Sequence, residues 1–292
     1  MRAMAFGLFV LLSSTATAQV KVATFDVDAS PPVGSPLAYD PTKAITEPLS
    51  CRGIVIIGAD KPIVLCSVDW LGIANESHSE LCERLAKAAG TTPDRVPVHT
   101  IHQHDAPRCD FSSKELLDQV GLGDKSYDER FCRSVFLAAA KAAQGAVKDA
   151  KPVTHVGIGE AEVKEVASNR RILGEDGKVR VTRYTACRDP KVRAEPVGTI
   201  DPKLKLISFW DNDKPVAVLS YYATHPQSYY RTGEANPDFP GMARNARQKE
   251  VGVPHIHFNG AGGNVGAGKW NDGSRENRQV LADKVALGMR LA

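Results

Sequence analysis

The stretch GIVIIGADKPIVLCSV, residues 53–68, decides the fold class. It divides into two strands, residues 53–58 and 62–68, joined by the polar turn Ala59-Asp60-Lys61. Both strands are rich in β-branched residues and almost continuously apolar, which is typical of strands buried on both faces. The stretch therefore predicts a β-sheet that is covered on both sides.

Helical and extended patterns surround this stretch. Apolar residues at helical spacing predict helices at residues 77–89, 127–150, 240–251 and from 274 onward. Further strands are predicted at residues 96–102, 204–210, 216–222 and 254–258, of which the middle two form a hairpin. Because strands and helices mix without strict alternation, we expect an α/β (mixed α+β) fold, a layered domain with a mixed β-sheet core flanked by helices.

Length and charge narrow the class of protein. The 292 residues, 42% of them hydrophobic, suffice for one large domain or two modest ones. The formal net charge is +3, and basic and acidic residues are mixed throughout the chain. Since the sequence has no dense Lys/Arg stripe with interleaved aromatics, we expect no nucleic-acid partner.

The first residues resemble an export signal. Arg2 precedes the short apolar run AFGLFVLL, and Ala16-Thr17-Ala18 offers small residues for a signal peptidase. We therefore predict a cleavable signal peptide at residues 1–18 and one domain at 19–292, in a secreted or periplasmic protein. A short N-terminal membrane anchor is the alternative.

Export also changes the interpretation of the cysteines. The six cysteines are widely spaced and form no CxxC pair, which disfavours a structural zinc knuckle. An oxidising compartment permits disulfides, so we expect one to three bridges, with free buried cysteines as the alternative.

The segment HTIHQHDAP, residues 99–107, carries the strongest chemical pattern. On an extended chain, His102 and His104 would face the same side and could converge on one metal ion. Imidazole is a preferred zinc ligand, and Asp105 could orient one ring through its second nitrogen. The alternative is a pair of structural histidines.

Two further segments could complete a site. His225 lies where the predicted strand 216–222 runs into a loop, whereas His255 and His257 lie within an apolar strand and are interpreted as structural. Residues 259–270, NGAGGNVGAGKW, form a glycine-dense turn whose backbone amides could approach an oxyanion. Trp270 occupies the position where a nucleotide-binding P-loop needs Ser or Thr, so the turn is not expected to bind a nucleotide.

Six short segments follow one another in a recognisable order: DVDASPPVG (26–34), SVDWLG (67–72), TIHQHDAP (100–107), SNRR (168–171), ATHP (223–226) and DFPG (238–241). In this order they resemble the N-terminal catalytic domain of the neutral/alkaline, non-lysosomal ceramidase family. The family has, at these places, an Asp-Ile-Thr-Pro-Pro-type opening, Ser-Ala-Asp, Thr-His-Thr-His-Ser-Gly-Pro, Asn-Arg-Ser, Ala-Thr-His and Asp-x-x-Gly. The resemblance covers nearly the whole of residues 19–292.

The resemblance implies a Zn²⁺-dependent amidohydrolase that cleaves ceramide to sphingosine and fatty acid. It implies that His102 and His225 are zinc ligands, that His104 is a neighbouring acid/base group and that Arg170 faces the substrate. The family completes its zinc site with a Glu and a Tyr from farther along its domain. No residue of this chain occupies those positions, and the last predicted helix has no cap or following strand, so we expect a C-terminally incomplete domain.

One departure concerns the glycine turn. The family has Gly-Asp-Val-Ser-Pro-Asn there, whereas this chain has GNVGAG at 263–268, so Gly266 replaces the serine. We therefore expect a water nucleophile activated by zinc, with the amides of Gly262, Gly263 and Asn264 supporting the oxyanion.

The substrate would be a lipid or small-molecule amide, with access at a membrane surface as one possibility. Two alternatives are an exported zinc hydrolase of a non-lipid amide or ester and a non-catalytic exported binding domain.

Overall fold

The structure is a computed structural model that describes residues 19–292. The predicted signal peptide, residues 1–18, lies outside the described residues. Among the described helices, none combines the length and the hydropathy needed to cross a membrane.

The described chain alternates irregularly between strands and helices. The strands are β1 (Lys21–Asp28), β2 (Ala44–Ile45), β3 (Ser50–Ile57), β4 (Ile63–Val68), β5 (Gly72–Ile73), β6 (Val98–Thr100), β7 (Arg108–Cys109), β8 (Lys151–Pro152), β9 (His155–Glu162), β10 (Ser168–Asn169), β11 (Arg171–Leu173), β12 (Val179–Thr182), β13 (Lys203–Asp211), β14 (Lys214–Tyr222), β15 (Glu234–Ala235), β16 (His255–Asn259) and β17 (Val265–Gly266). The helices are α1 (Asn75–Ala89), α2 (Phe111–Asp118), α3 (Gly123–Ser126), α4 (Glu129–Lys148), α5 (Pro190–Ala194), α6 (Asp238–Val251) and α7 (Arg275–Leu291), with a short 3-10 turn at Pro93–Arg95.

Two mixed sheets form the centre of the fold. The first has the order β6-β4-β3-β1-β8, in which β4 and β6 are parallel and every other neighbouring pair of strands is antiparallel. The second has the order β16-β14-β13-β9, with β14 parallel to β16 and its other neighbours antiparallel. The predicted hairpin is β13 and β14. The predicted mixed α/β architecture is thus confirmed, with the sheet divided into two.

The sheets pack against each other because each presents an apolar face to the other. Their shared core contains Val22 and Ile54 from the first sheet and Leu219, Ile256 and Phe258 from the second. Burying one such side chain contributes about 1.5–3 kcal/mol relative to leaving it exposed. Helices α1 and α4 cover the outer face of the first sheet, and α6 and α7 cover the second. The result is a four-layer arrangement, helix–sheet–sheet–helix.

The expected disulfides are absent, since all six cysteines are free in the structure. Five of the six are buried, and they pack as small apolar groups in the core that α1 and α4 form with the first sheet. Cys51 and Cys66 come close, but their sulfur atoms lie 3.7 Å apart, well beyond the length of a disulfide bond. The alternative of free, buried cysteines therefore describes these five positions.

Candidate metal centre

Three histidines converge at one edge of the two sheets. His102, His104 and His225 each present a ring nitrogen, and the three nitrogens lie within 4.8 Å of one another. The Nε2 atoms of His104 and His225 are 2.8 Å apart. Two of the rings are buried, whereas His102 is exposed. Residues 121 positions apart in the sequence therefore form one compact cluster.

A turn positions the His102–His104 pair. The strand predicted at residues 96–102 is shorter in the structure, where β6 spans only Val98–Thr100. Strand β6 stops at Thr100, and His102 has a left-handed backbone with φ of 68°. Strand pairing gives way there to loop contacts, in which the backbone amide of His102 donates to the carbonyl of Trp70 at 3.0 Å. The two rings thus converge through a sharp change of chain direction and not through strand alternation.

The second nitrogen of two of the rings is engaged by the surrounding protein. His102 Nδ1 donates to the carbonyl of Leu71 at 2.7 Å, and His104 Nδ1 lies 2.8 Å from the hydroxyl of Tyr39. Such contacts fix the orientation and tautomer of an imidazole, as they do around protein-bound metals.

Asp105 does not orient an imidazole, contrary to the prediction. Its carboxylate accepts hydrogen bonds from the hydroxyl of Thr232 at 2.7 Å and from the backbone amide of Thr232 at 3.3 Å. The side chain is buried against the 232–236 segment, so it cannot reach the ring of His104 or His102. Asp105 therefore secures the loop beside the histidines.

The environment keeps two of the rings neutral. Burial, followed by the nearby His225, lowers the pKa of His104 to about 3. Burial, followed by the nearby His102, lowers the pKa of His225 to about 4. Arg170 contributes to both shifts. Because a metal binds the neutral imidazole, both side chains hold the ligand-competent form at neutral pH.

A buried ion pair includes the residue that contacts the histidine turn. Arg244 of α6 binds Asp69 through two hydrogen bonds of 2.6 and 2.8 Å, and both side chains are fully buried. The backbone carbonyl of Asp69 accepts from the side-chain amide of Gln103, the residue between the two histidines. The Asp69 loop therefore supports the turn that carries His102 and His104.

The glycine turn approaches His225 from the second sheet. The backbone amide of His225 donates to the carbonyl of Val265 at 2.8 Å. At Gly262 an added Cβ would lie 3.0 Å from the carbonyl carbon and oxygen of Thr224, so a side chain there would disturb this contact. Glycine thus allows the turn to pack against the segment that holds His225.

Arg170 is fastened to this turn. Its backbone amide donates to the carbonyl of Asn264 at 2.8 Å, and its Nη1 donates to the carbonyl of Gly263 at 3.4 Å. The side-chain amide of Asn264 donates to the side-chain oxygen of Asn169 at 2.9 Å. Of the three residues whose amides were predicted to support an oxyanion, Gly262 and Gly263 line a cleft with His102 and His225, whereas Asn264 does not line it.

Two clefts meet at the cluster. The larger, about 740 Å³, is lined by His104, His225 and Arg170 together with Tyr39, Tyr184, Tyr229 and Tyr230, and we call it the tyrosine cleft. The smaller, about 400 Å³, is lined by His102, His225, Gly262, Gly263 and residues 98–100, and we call it the glycine cleft. His225 borders both, so a molecule held at the histidines could extend into either.

Some features of the site had no counterpart in the sequence patterns. Tyr39 lies in a Pro/Gly-rich loop, and Thr185 and Gln227 contribute side chains to the tyrosine cleft, where the Thr185 hydroxyl donates to Gln227 at 3.0 Å. His255 and His257 lie apart from the cluster, with ring contacts to the Val253 carbonyl and the Ser220 hydroxyl. For Tyr39, the available indication in the sequence was a tyrosine in a loop of otherwise turn-forming residues.

The donor set suits a metal ion. Three converging imidazoles, two of them with the second nitrogen hydrogen-bonded, match the three-ligand sets of catalytic zinc sites. No family model matches the sequence, and no curated protein matches it either.

Solved structures do match, over 94% of this chain and with a TM-score of 0.70 in each case. One is a ceramidase complexed with C2, at 15% identity, and another is the neutral ceramidase from Pseudomonas aeruginosa, at 16% identity. The chain spans 43% and 44% of the lengths of these two proteins. Residues 19–292 therefore have the fold of the neutral ceramidases, as the six ordered segments of the sequence predict.

Proposed function

We propose that this chain carries the metal centre of a zinc-dependent, ceramidase-like hydrolase that cleaves amide bonds. The observation that carries the proposal is the convergence of His102, His104 and His225, in which the second nitrogens of His102 and His104 are hydrogen-bonded. His104 joins the proposed ligand set, although the resemblance implies an acid/base role, because its Nε2 points at His225.

In the proposed reaction, zinc and Arg170 have separate roles. A bound zinc ion would act as a Lewis acid and make water a nucleophile near neutral pH. Arg170 borders the tyrosine cleft beside His104 and His225, so its guanidinium could stabilise negative charge that develops on the carbonyl oxygen of the substrate. The Gly263 carbonyl restrains that guanidinium, which limits the reorganisation needed during the reaction.

Ceramide is the substrate that the structural neighbours suggest, and a non-lipid amide or ester is the second candidate. Two observations favour the second candidate. Gly266 replaces the serine of the family, and an added Cβ at this position would lie 3.0 Å from the methyl group of Thr185. The tyrosine cleft, in addition, is lined mainly by polar and aromatic side chains.

Zinc content and hydrolysis test the proposal together. The protein is loaded with zinc, dialysed and measured for bound metal, with His102→Ala and His225→Ala as test variants and His155→Ala as the matched control on an exposed strand. We expect one zinc per wild-type chain, loss of the ion from both test variants and retention in the control. Wild-type protein without zinc would refute the metal centre.

Hydrolysis is then measured on the zinc-loaded protein with a short-chain ceramide and with uncharged and charged small amides. Release of the amine from any of these, lost in His225→Ala, would support the hydrolase. Tight zinc binding with no hydrolysis of any amide or ester would instead favour the non-catalytic binding domain.

A further inference from the structure

The walls of the tyrosine cleft differ from those expected around a long aliphatic chain. Four tyrosines line it, and its remaining surface includes the polar side chains of Thr185, Gln227 and Ser228. Among the described residues that line the cleft, Ala186 has the one aliphatic side chain. The apolar surface of the cleft therefore comes mainly from aromatic rings and not from the aliphatic side chains that usually surround a long alkyl chain.

The cleft is also rich in unpaired positive charge. Arg170 and Arg188 both line it, and neither forms an ion pair with any carboxylate in residues 19–292. Arg170 uses one N–H on the Gly263 carbonyl, and Arg188 uses its Nε on the Asp272 carbonyl at 3.1 Å. Each guanidinium therefore retains further donors for a ligand.

A third guanidinium adds to this field from the rim. Arg231 lies 4.9 Å from the centre of the Tyr39 ring and 5.8 Å from the Tyr230 ring, again with no ion pair in the described chain. The one carboxylate that lines the cleft belongs to Asp272, and it accepts a hydrogen bond from the backbone amide of Ser274 at 2.9 Å. The charge facing the cleft is therefore positive on balance.

We propose that the tyrosine cleft binds a carboxylate-bearing, polar part of the substrate, with Arg188 and Arg170 as its anion-binding residues and the tyrosines as its walls. The substrate class would be amides or esters that carry a carboxylate near the bond to be cleaved. Guanidinium groups bind carboxylates through paired, charge-assisted hydrogen bonds, which are stronger than neutral ones. This inference rests on the proposed hydrolase for the bond that is cleaved, but not for the binding of the anion.

The test compares two probes that differ in one charge, N-benzoylglycine and its uncharged amide, N-benzoylglycinamide. Binding to the metal-free protein is measured by calorimetry, so that a carboxylate cannot score by coordinating zinc. The variants are Arg188→Gln and Arg170→Gln. Arg171→Gln is the matched control, because Arg171 is an exposed neighbour of the same charge that does not line the cleft.

We expect the wild-type protein to bind N-benzoylglycine at least about tenfold more tightly than the amide, a difference of about 1.4 kcal/mol. Arg188→Gln and Arg170→Gln should each remove most of this preference, and Arg171→Gln should change it by less than about twofold. Circular dichroism checks that each variant is folded. If one of the two cleft variants does not fold, the other one tests the proposal.

Equal affinity for the two probes, no binding of either, or a preference that survives in both cleft variants would overturn the proposal. A protein that prefers the carboxylate but binds no zinc would retain this inference and lose the hydrolase. A protein that binds zinc and cleaves amides without preferring the carboxylate would retain the proposed hydrolase and overturn this inference.

Discussion

Replacing Asp69 with Asn tests the support behind the histidine turn. The substitution keeps the shape of the side chain and removes its charge, which leaves the guanidinium of Arg244 fully buried without its carboxylate. Breaking a buried ion pair in this way costs about 3–5 kcal/mol. Ser50 donates to the same carboxylate through its amide and its hydroxyl, at 2.9 and 2.7 Å, so these contacts weaken as well.

The expected loss is large compared with the stability of a typical domain, about 5–15 kcal/mol. For a domain of this size each kcal/mol corresponds to about 2–4 °C, so the melting temperature should fall by about 6–20 °C. Urea unfolding monitored by circular dichroism measures the free energy. The matched control is Asp201→Asn, which breaks the half-exposed pair with Lys205 and should cost less than about 1 kcal/mol.

The pH dependence of this loss has a definite sign. Burial opposes the ionisation of Asp69, but the charge and hydrogen bonds of Arg244 outweigh it and lower the pKa of this carboxyl. A lowered pKa in the folded state contributes stability above the unfolded value of about 3.9, and this contribution disappears as the pH falls through the folded pKa. The wild type and Asp69→Asn should therefore differ fully at pH 7 and converge in acid. An Asp69→Asn protein as stable as the Asp201→Asn control at pH 7 would refute the reasoning.

Three further substitutions address the site. Tyr39→Phe keeps the ring beside His104 but removes the hydroxyl 2.8 Å from Nδ1, so zinc affinity, measured by competition with a chelator, should fall about 10–100-fold; unchanged affinity would show that the hydroxyl does not orient the ring. Gly266→Ser crowds the methyl of Thr185 and should cost about 1–3 kcal/mol in urea unfolding, and less in a Thr185→Ala background. Gly268→Ala brings a Cβ into the carbonyl of Tyr184 and should cost more than Gly266→Ser; equal stabilities would contradict this packing.

The elements that the sequence predicts well are those whose own residues determine their state. Residues 54–57 of β3 and 63–66 of β4 are continuously apolar and rich in β-branched side chains. Helix α1 ends at Ala89, where Gly90, with a left-handed φ of 70°, caps it. Strand β9 was not predicted because its sequence, HVGIGEAE, is polar and glycine-containing. Its extended state comes from pairing along its whole length with β13, which a local pattern does not contain.

The same distinction applies to the candidate site, where local patterns predict some residues and tertiary contacts place the others. The three histidines were predicted because a His-x-His pair and a strand-end histidine are local patterns. The prediction that the two rings converge through strand alternation was wrong, because His102 has a left-handed backbone and its amide contacts the carbonyl of Trp70, a contact that the strand pattern does not contain. Tyr39 lies 65 residues from His104, in a loop without periodicity, so only the tertiary structure places them together.

The two-sheet architecture explains why a metal centre can form at this edge. Strand β6 runs parallel to β4 in the first sheet, and β14 runs parallel to β16 in the second. His102 follows β6, His225 follows β14, and the glycine turn follows β16, so three strand ends carry the site.

The two sheets are joined at this edge by hydrogen bonds between β16 and the segment at β6. The backbone amide of Asn259 donates to Nε2 of His99 at 2.9 Å, and its side chain donates to the carbonyl of Ile101 at 2.8 Å. The distance between His102 and His225 thus depends on how the sheets pack, since each sheet supplies part of the ligand set. An ion bound by all three histidines would bridge the two sheets, and its binding free energy would add to the free energy that holds them together.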